Sequence, residues 1–442
     1  MNIEELQEIF KAGGIVGAGG AGFPSYAKLN KKADTIILNC AECEPLLNLH
    51  RRVLEKYAEE ILTALSEVAE SVQANRIIIA IKPSYRGAVE AVKSCIKNFN
   101  KCEIGFLPEA YPAGDEVVAI YETTGRVVKP GQIPISVGVI VFNVETMLNA
   151  YNAITSGKPV TSKYISVMGE VKNPVTLKAP IGITYNELIE KAGGVTTKEY
   201  VLIAGGPMMG KMVSGHDVVT KTSNAIIVLP SDHHVVQKHK SNPSVLLKRG
   251  MSACCQCHMC TDMCPRHLLG HPIDPAKFMR SLTSGSTSNI TPYVNALFCS
   301  GCGLCEMYSC FQGLSPRKLI GVVKGKLRQA GVTAPKIDSV SVPDERSGRY
   351  VLKSRLTARL GLSKYDVTAA LNDKEVSSEK VKVMLNQHIG APAIPTVKKG
   401  DKIKKGSTIA AAPAEKLGVA IHASISGLVT AVNQDSIVIS KQ

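Results

Sequence analysis

The 442-residue chain contains no tryptophan, and aromatic residues make up only 5% of it. A long apolar run is also missing: the longest candidate, ISVGVIVF at 135–142, falls far short of the roughly 20 residues that cross a bilayer. The first residues, MNIEELQEIF, are acidic and amphipathic, unlike the charged start and apolar block of a secretory signal. We therefore expect no direct membrane insertion and no secretion.

A concentrated basic region is absent as well, although the net charge is +15. Lysine and arginine are scattered along the chain, without an arginine-rich segment or interleaved aromatic residues. This distribution argues against nucleic acid as a partner. The positive charge would suit acidic protein partners or phosphate-bearing cofactors equally well.

Cysteine, by contrast, is abundant: the chain has 13, and nine of them fall between Cys254 and Cys310. A secreted disulfide framework is a poor interpretation of a long chain that shows no signal segment. We expect these thiols to lie in a reducing cytoplasm and to act as metal ligands.

Two cysteine runs have the spacing of iron–sulfur ligands. The first is C-x-x-C-x-x-C-x-x-x-C-P at 254–265, and the second is C-x-x-C-x-x-C-x-x-x-x-C at 299–310. Three closely spaced thiolates wrap one face of a [4Fe-4S] cubane, and the fourth of each run reaches the other cluster. The tandem runs therefore predict two [4Fe-4S] clusters with crossed ligation, one held by Cys254, Cys257, Cys260 and Cys310 and the other by Cys299, Cys302, Cys305 and Cys264.

Structural zinc is the alternative for these cysteines. Zinc prefers paired C-x-x-C knuckles, sometimes completed by histidine, and His258 and His267 lie nearby. A third cysteine at the same short spacing is superfluous for tetrahedral zinc, which favours iron–sulfur clusters. The register that fits both runs leaves Cys255 free, and Phe311 stands where the bacterial ferredoxin pattern has proline.

The segment GAGGAGFP at 17–24 contains the G-x-G-x-x-G pattern of phosphate-binding loops. A dinucleotide fingerprint follows a strand and opens a helix, whereas this segment follows an amphipathic helix and ends in proline. A tight turn and a nucleotide cradle both remain open from this pattern alone. The cradle is favoured by three polar segments at strand ends, which in an α/β sheet meet in one crevice: NCAECEP at 39–45, YPAGDE at 111–116 and NVET at 143–146.

The pattern of apolar residues divides the chain into successive modules. Residues 1–157 alternate helices and strands, including one helix over 54–72, which indicates an α/β layer with a largely parallel sheet. Residues 158–232 indicate a small α+β module, and 233–335 a helical, cysteine-rich one that ends in a basic helix at 316–329. A polar linker is predicted at 336–380, followed at 381–442 by the short β-prone runs of a small barrel or sandwich.

GAGGAGFP, NCAECEP, YPAGDE and NVET, in this order, resemble the flavin-binding subunit of respiratory complex I and the C subunit of the Rnf electron-transport complex. The resemblance is strongest to the cobalamin reductase family of propanediol-utilisation microcompartments, in which the segment QHIGAPA, here 387–393, comes last. It implies a multidomain α/β and α+β fold. The expected parts are a Rossmann-like FMN-binding domain, a β-grasp module of the SLBB type, a helical two-cluster ferredoxin-like domain and a C-terminal β barrel-sandwich domain.

The resemblance also implies which residues bind cofactors. Those expected to line FMN are Gly17, Gly19, Lys28, Asn39, Glu42, Gly114, Asp115, Glu116, Asn143 and Thr146. Phe23 should lie against NADH, and Glu44 should bond to it. From the residues alone, Glu42 or Glu116 could instead cap a helix, and Phe23 could belong to the core. Cys40 and Cys43 form a C-x-x-C pair, but their place in NCAECEP disfavours thioredoxin-like chemistry.

The family relationship implies an NADH-dependent oxidoreductase. NADH would give hydride to FMN, and single electrons would pass through two [4Fe-4S] clusters to cob(III)alamin or cob(II)alamin. The implied partners are the corrinoid, a cobalamin adenosyltransferase and microcompartment shell proteins, and the implied location is the cytoplasm, within a bacterial microcompartment. The alternatives are a general Rnf-C-like electron-transfer adaptor to another protein and a non-enzymatic binding scaffold.

Overall fold

The computed structural model describes all 442 residues and begins with an α/β layer. Single-turn 3₁₀ helices of this layer lie at Ser25–Lys28, Ile96–Asn98 and Pro134–Val137. Its regular elements are α1 (Ile3–Ala12), β1 (Thr35–Asn39), α2 (Leu49–Lys56), α3 (Ala58–Val72), β2 (Arg76–Ile81), α4 (Arg86–Cys95), β3 (Cys102–Phe106), β4 (Ala110–Tyr111), α5 (Glu116–Thr124), β5 (Val139–Asn143) and α6 (Val144–Ser156).

The sheet of this layer is parallel, with strand order β3-β2-β1-β5. Ile36 of β1 packs into one hydrophobic core and its neighbour Ile37 into another, so the sheet is covered on both faces, as its apolar strands require. β1 and β5 pair in register, and Asn39 lies beside Asn143 where both strands end. The carboxyl ends of these strands therefore bring two predicted site residues together.

The helix predicted over 54–72 is divided in the structure into α2 and α3, which meet at Tyr57. Tyr57 leaves the helical conformation (φ −125°, ψ 34°), and its hydroxyl donates to Asp373 Oδ2 at 2.5 Å. Because the partner is 316 residues away in the chain, the local periodicity could not show this break.

The second module packs one helix on a mixed sheet, which is the arrangement of a β-grasp. The helix, α7, begins with a capping box between Thr184 and Glu187 and buries Leu188 and Ile189 in the core of the module. Strand β6 pairs antiparallel with β7 and parallel with β10. The elements are β6 (Ser162–Gly169), β7 (Val175–Pro180), α7 (Tyr185–Lys191), β8 (Tyr200–Ala204), β9 (Lys211–Val213) and β10 (Ala225–Pro230).

The third module consists of short helices joined by the cysteine-bearing loops. The predicted basic helix is present as α14, and Leu246, Phe278 and Ile320 belong to a small core that this module has to itself. No helix of the structure combines the length and the apolarity that a membrane span requires. The helices are α8 (His234–Lys240), α9 (Pro243–Ala253), α10 (Met259–Asp262), α11 (Pro275–Thr283), α12 (Thr291–Asn295), α13 (Leu304–Met307) and α14 (Pro316–Gln329), with 3₁₀ turns at His267–Leu269 and Ala296–Phe298.

The segment predicted as a polar linker, 336–380, contains regular structure. Its elements are two 3₁₀ helices (Asp344–Arg349 and Ser363–Tyr365), β11 (Val351–Leu352), α15 (Lys353–Arg359) and β12 (Ala370–Glu375). β11 pairs with β4 of the first module, and β12 extends the sheet of the second by pairing with β7. Each element is short and finds its partner strand far away in the chain, so its local pattern resembles that of a linker.

The C-terminal segment forms two small antiparallel sheets, with strand orders β13-β19-β18-β15 and β14-β16-β17 once its strands are numbered along the chain. Val381 and Ile437 of this barrel share a hydrophobic core with Ile3 and Leu6 of the first module. The last module therefore packs directly on the first. Its strands are β13 (Lys380–Met384), β14 (Ile394–Pro395), β15 (Lys402–Ile403), β16 (Thr408–Ala411), β17 (Ile421–His422), β18 (Gly427–Val432) and β19 (Ser436–Ser440).

Candidate functional site

A cleft of about 970 Å³ opens where β1 and β5 end. Three modules contribute to its walls: the strand ends of the first, Met209 and Asn224 of the second, and Ser300 and Cys302 of the third. The structure brings several residues predicted to bind flavin or dinucleotide to this cleft, namely Gly19, Asn39, Glu42, Glu44, Gly114, Asp115, Glu116 and Asn143.

The glycine loop, residues 17–23, is closed at its base like a hairpin by an antiparallel bridge between Val16 and Pro24. At its tip, Gly20 has φ +84°, and nothing lies within 4 Å of the position that a Cβ would take. This shape differs from the strand-to-helix turn of a dinucleotide fingerprint. It leaves the backbone at the tip accessible from the cleft, since Gly20 lines that cleft.

Two contacts from distant segments hold the glycine loop in place. The hydroxyl of Thr146, which is fully buried, accepts from the Ala18 N–H at 2.9 Å. From the barrel, the Ile389 N–H within QHIGAPA donates to Ala21 O at 3.1 Å. Gly17 and Thr146 are absent from the cleft lining, and Thr146 holds the loop through its bond to Ala18.

Asn39 and Gly114 join two strand-end segments on the cleft wall. Asn39 Nδ2 donates to Gly114 O at 2.9 Å, and the Gly114 N–H donates to Cys43 Sγ at 2.8 Å. A Cβ at Gly114 would lie 2.7 Å from Ala41 O, so this position requires glycine. Burial raises the pKa of the Cys43 thiol and holds that of Cys40 well above its usual range. Both are buried thiols, which argues against disulfide exchange at this C-x-x-C.

An ion pair fastens the cysteine-rich module to the cleft. Asp115 caps the start of α5, and its two carboxylate oxygens accept from Arg266 Nη2 at 2.8 and 2.9 Å. Arg266 follows Cys264 by two positions in the chain. Nearby, the Tyr111 hydroxyl donates to Cys302 O at 2.6 Å. Both contacts join the strand-end segment YPAGDE to loops that carry cluster cysteines.

Glu116 lies between the cleft and a second cavity of about 780 Å³, because it lines both. Lys28 Nζ is 3.2 Å from Glu116 Oε1 and donates to Val141 O at 2.8 Å. Phe23 lines the second cavity with Lys28 and is 37% exposed, so it is not a core residue. The structure thus places Phe23 and Lys28 beside the main cleft instead of within it.

The second module occupies the carboxylate of Glu44. Its two oxygens accept from the Met208 N–H at 2.8 Å and the Met209 N–H at 2.9 Å. A Cβ at Gly206 would collide with this carboxylate, so the segment GGPMMG closes tightly over it. Burial raises the pKa of Glu44 to about 7, although the two N–H donors oppose that rise. The resemblance predicts a bond to NADH, whereas in this structure Glu44 fastens the second module to the cleft.

Glu42 and Asn143 differ in how much hydrogen-bonding capacity they leave for a ligand. Glu42 is 7% exposed, and its Oε2 accepts from the Arg51 N–H near the start of α2 at 3.3 Å. Asn143 occupies the N-cap position of α6, but its side chain makes no capping bond. The free amide of Asn143, the glycine backbone and the buried, unpartnered Nε of Arg266 fit a polar, phosphate-bearing ligand such as FMN.

Cys310 joins the first cysteine run. With Cys254, Cys257 and Cys260 it lines one pocket, and we call these four the outer set. Cys255 lines the same pocket. Cys255 and Cys257 are exposed, so this pocket lies at the protein surface.

Cys264 joins the second run, and we call Cys264, Cys299, Cys302 and Cys305 the inner set. Burial raises the pKa of Cys264 to about 11, and the nearby Cys299 adds to that rise. Burial also raises the pKa of Cys305, with smaller contributions from Cys299, Cys302 and Cys264. Neighbouring thiols of the inner set thus raise the pKa of Cys264 and of Cys305, and Glu306 adds to the rise for Cys305. Cys302 and Cys305 are buried, and Cys302 forms part of the cleft wall.

The loops of the two sets have the same backbone conformation. In the inner loop the left-handed positions are Gly301 (φ +76°) and Gly303 (φ +84°), on either side of Cys302. In the outer loop they are Gln256 (φ +54°) and His258 (φ +69°), on either side of Cys257. This match aligns Cys254 with Cys299 and leaves Cys255 out of register. Alternating right- and left-handed residues also turn backbone N–H groups toward an anion, as at many iron–sulfur sites.

The spacing of the cysteines bears on the zinc alternative. No three His, Cys, Asp or Glu side chains converge closely enough to share a single metal ion. One tetrahedral zinc ion would need its sulfurs within about 4 Å of each other, because Zn–S bonds are about 2.3 Å long. A cubane binds each thiolate at a different iron and so accepts wider spacing. The third cysteine at the same short spacing in each run is what favours a [4Fe-4S] cluster over zinc.

Comparison with known families gives four matches in chain order. They are a Nuo51 FMN-binding domain at 10–152, an SLBB domain at 164–211, a 4Fe-4S dicluster domain at 253–315 and an RnfC barrel sandwich hybrid domain at 365–442. The fold class predicted from the sequence is confirmed by these matches.

Whole-chain similarity decides the family. Cobalamin reductase PduS of Citrobacter freundii is 36% identical over 439 residues, covering 99% of this chain and 96% of that protein. The PduS protein of Salmonella typhimurium LT2 is 37% identical, covering 99% of this chain and 97% of that protein. The chain belongs to the PduS cobalamin reductase family. It is therefore an oxidoreductase with FMN and [4Fe-4S] clusters as cofactors, and the non-enzymatic scaffold alternative no longer holds.

A more distant relative matches only part of the chain. The C subunit of the Na⁺-translocating ferredoxin:NAD⁺ oxidoreductase complex of Acetobacterium woodii is 32% identical, covering 63% of this chain and 61% of that protein. The FMN-binding and 4Fe-4S dicluster domains matched in this chain support flavin and iron–sulfur electron transfer as its activity.

Several cleft residues were not predicted from the sequence. Arg266 and Ser300 stand next to predicted cluster cysteines, so proximity in the chain was an available signal for them. His50, Met209 and Asn224 reach the cleft only because helix α2 and the second module fold against it. Met209 lies within the segment GGPMMG at 205–210, whereas no local motif marks His50 or Asn224.

Proposed function

We propose that this chain transfers electrons from NADH to a corrinoid and so reduces cob(III)alamin and cob(II)alamin. The observation that carries the proposal is the shared cleft wall: Cys302 lines the same cleft as the strand-end residues Asn39 and Asn143. A ligand held by those strand ends lies against the proposed inner cluster. FMN, when bound, supplies the conversion between two-electron and single-electron transfer.

Different residues at the cleft would bind FMN and the dinucleotide. Thr146 would hold the glycine loop that begins at Gly17, and Lys28 would hold Glu116 at the edge of the cleft. The exposed ring of Phe23 offers a stacking surface for a dinucleotide in the second cavity. Glu44 would act on that dinucleotide through the position of Met209, which lines the cleft. The residues that would face FMN are Gly19, Asn39, Glu42, Gly114, Asp115, Glu116 and Asn143.

The two cysteine sets would act in sequence. The inner set is partly buried and adjoins the cleft, whereas the outer set is open at the surface. Exposed apolar side chains lie close to the outer set in the chain, namely Met251 (63% exposed) and Phe311 (59% exposed). Such a surface suits a large, partly apolar acceptor. The names of the C. freundii and S. typhimurium relatives support a corrinoid in that role.

The proposal is tested with purified, cluster-reconstituted protein under anaerobic conditions. NADH and cob(III)alamin are added, and the cob(II)alamin absorbance is followed against the same concentration of free FMN. We expect the protein to accelerate the reduction well beyond free FMN. Equal rates would remove the corrinoid as acceptor. If NADH bleached the flavin and cluster absorbance but only a protein acceptor restored it, the Rnf-C-like adaptor function would replace this proposal.

We propose further that the reduced corrinoid passes to a cobalamin adenosyltransferase inside a bacterial microcompartment, as the resemblance to the cobalamin reductase family implies. The test is to isolate the tagged, full-length chain from cells under mild conditions and to identify the co-purifying proteins by mass spectrometry. We expect the adenosyltransferase and shell proteins to be enriched over an untagged control. Their absence would contradict the partner assignment while leaving the reductase activity untouched.

A further inference from the structure

His50 is a buried histidine whose ring nitrogens have no partner within the protein. It is the second residue of α2 and is only 6% exposed. Neither Nδ1 nor Nε2 makes a hydrogen bond. A buried polar group without a partner is destabilising, so a ring placed this way calls for a ligand that completes it.

The ring of His50 faces the cleft. His50 is among the residues that line it, and a Cβ placed on Gly19 of the glycine loop would be 3.7 Å from His50 Cε1. Two other polar side chains of the cleft are already engaged within the protein. Asn39 bonds to Gly114, and Asp115 bonds to Arg266. His50 therefore keeps hydrogen-bonding capacity that these neighbours have already used.

Charged side chains lie near His50. Lys163 and Glu145 form an ion pair whose side chains are 1% and 2% exposed, and Lys163 also bonds to Asn224 of the cleft wall. Burial lowers the pKa of His50, while the nearby Glu42 opposes that shift. A neutral imidazole offers one donor and one acceptor nitrogen. A flavin presents both kinds of partner along its ring and its ribityl chain.

We propose that His50 is a flavin-binding residue that forms a hydrogen bond with FMN in the cleft. The inference deepens the proposed function, because it depends on FMN binding in this cleft. It predicts that one substitution at His50 affects FMN binding and the stability of the flavin-free protein differently. Replacing His50 by an apolar residue should weaken FMN binding without destabilising the flavin-free protein, since two unpaired nitrogens leave the interior.

The test compares His50→Leu and His50→Asn with the wild type, each as the full-length, cluster-reconstituted protein from which flavin has been removed. FMN dissociation constants are measured by flavin fluorescence, and melting temperatures are measured with and without FMN. For His50→Leu we expect the dissociation constant to rise about tenfold, which corresponds to about 1.4 kcal/mol. We also expect an unchanged or higher melting temperature without FMN and a smaller rise on adding it. His50→Asn retains a donor and an acceptor and should bind FMN more tightly than His50→Leu.

Two further variants separate the possible failures. His216→Leu changes an exposed histidine outside the cleft and should match the wild type. Glu116→Gln changes a proposed flavin residue that does line the cleft. If Glu116→Gln weakens FMN binding and His50→Leu does not, the His50 inference is overturned and the cleft assignment stands. If neither changes FMN binding, the cleft assignment itself fails. His50 would have a purely structural role if two results came together. These are a lower melting temperature of flavin-free His50→Leu than of the wild type, and FMN binding by His50→Asn that is no tighter than binding by His50→Leu.

Discussion

The inner and outer cysteine sets share one loop conformation but differ in their surroundings. Cys302 and Cys305 of the inner set are buried, and Cys302 adjoins the cleft, whereas Cys257 of the outer set is exposed. The left-handed positions around Cys302 are glycines, while those around Cys257 are Gln256 and His258. Both cluster loops therefore have left-handed backbone positions in common, whereas the residue type at those positions and the burial of the cysteines differ between the two locations.

At Gly303, though not at Gly301, the choice of residue follows from the space available. A Cβ at Gly303 would lie 3.2 Å from Arg317 and 3.5 Å from Met208 of the second module, so a longer side chain has no room there. The outer loop has open space, and His258 uses it to bond Asp262 Oδ1 at 2.8 Å. The inner loop is thus packed for contact with the cleft. The outer loop is left open toward an acceptor.

The largest expected effect comes from removing one ligand of either set. Cys302→Ala and Cys257→Ala should each lower the iron content from about eight to about four per chain. Each should reduce NADH-dependent corrinoid reduction by at least about 10- to 100-fold, as is usual when a metal site is disrupted. Iron analysis and the corrinoid assay measure these effects. Full activity with half the iron would show that one cluster lies outside the electron path.

The next largest effect should come from the ion pair between Arg266 and Asp115, which joins the inner set to the cleft. Arg266→Leu leaves Asp115 without its charged partner, and we expect a loss of about 2–3 kcal/mol in the free energy of unfolding. The matched control is Arg349→Leu. Arg349 is 3.9 Å from Asp262 near the outer set and is more exposed, so its loss should stay below about 1 kcal/mol. Denaturant titrations measure both losses. If the two variants lost the same free energy of unfolding, the greater burial of the Arg266–Asp115 pair would not make it more stabilising, contrary to this prediction.

How much of this comparison the sequence could predict depends on which contacts are local. The cysteine spacing predicts both sets, and the strand-end motifs predict the cleft residues Asn39, Gly114 and Asn143. The elements within 336–380 escaped prediction because their partner strands are distant in the chain. The contact of Glu44 with the second module and the exposure of His50 to the cleft escaped for the same reason. Local sequence patterns therefore predict the cysteine sets and the strand-end residues, whereas the residues that reach the cleft through contacts between modules are visible only in the structure.

A pH-dependent effect should follow from Glu44, which holds the second module beside the inner set. Burial raises the pKa of Glu44 from 4.5 to about 7 in the folded protein. The folded state therefore binds the Glu44 proton more tightly than the unfolded state does. The contribution of this proton to folding stability is fully present below pH 4.5 and is lost as the pH rises through 7. We expect the stability difference between wild type and Glu44→Gln to fall across this window. A difference that stays constant from pH 4.5 to pH 8 in chemical denaturation would refute the assigned shift.

The smallest of these effects should come from single buried hydroxyls. Tyr111→Phe removes the hydrogen bond to Cys302 O and should lower the free energy of unfolding by about 1 kcal/mol. Tyr293→Phe removes a bond from a less buried hydroxyl to Ser286 O in the third module, and we expect a smaller loss. Thermal unfolding of the two variants measures the difference. If Tyr293→Phe lowered the free energy of unfolding more than Tyr111→Phe, the expectation that the hydrogen bond near the cleft contributes more would be wrong.

The order of cluster reduction is the most direct test of the account. Wild type, Cys302→Ala and Cys257→Ala are mixed with NADH without acceptor, frozen at successive times and examined by electron paramagnetic resonance. The account predicts that the signal missing from Cys302→Ala appears first in the wild type. It also predicts that NADH no longer produces the outer signal when Cys302 is replaced. Reduction of the outer set at the wild-type rate in Cys302→Ala would contradict the proposed path through the inner set.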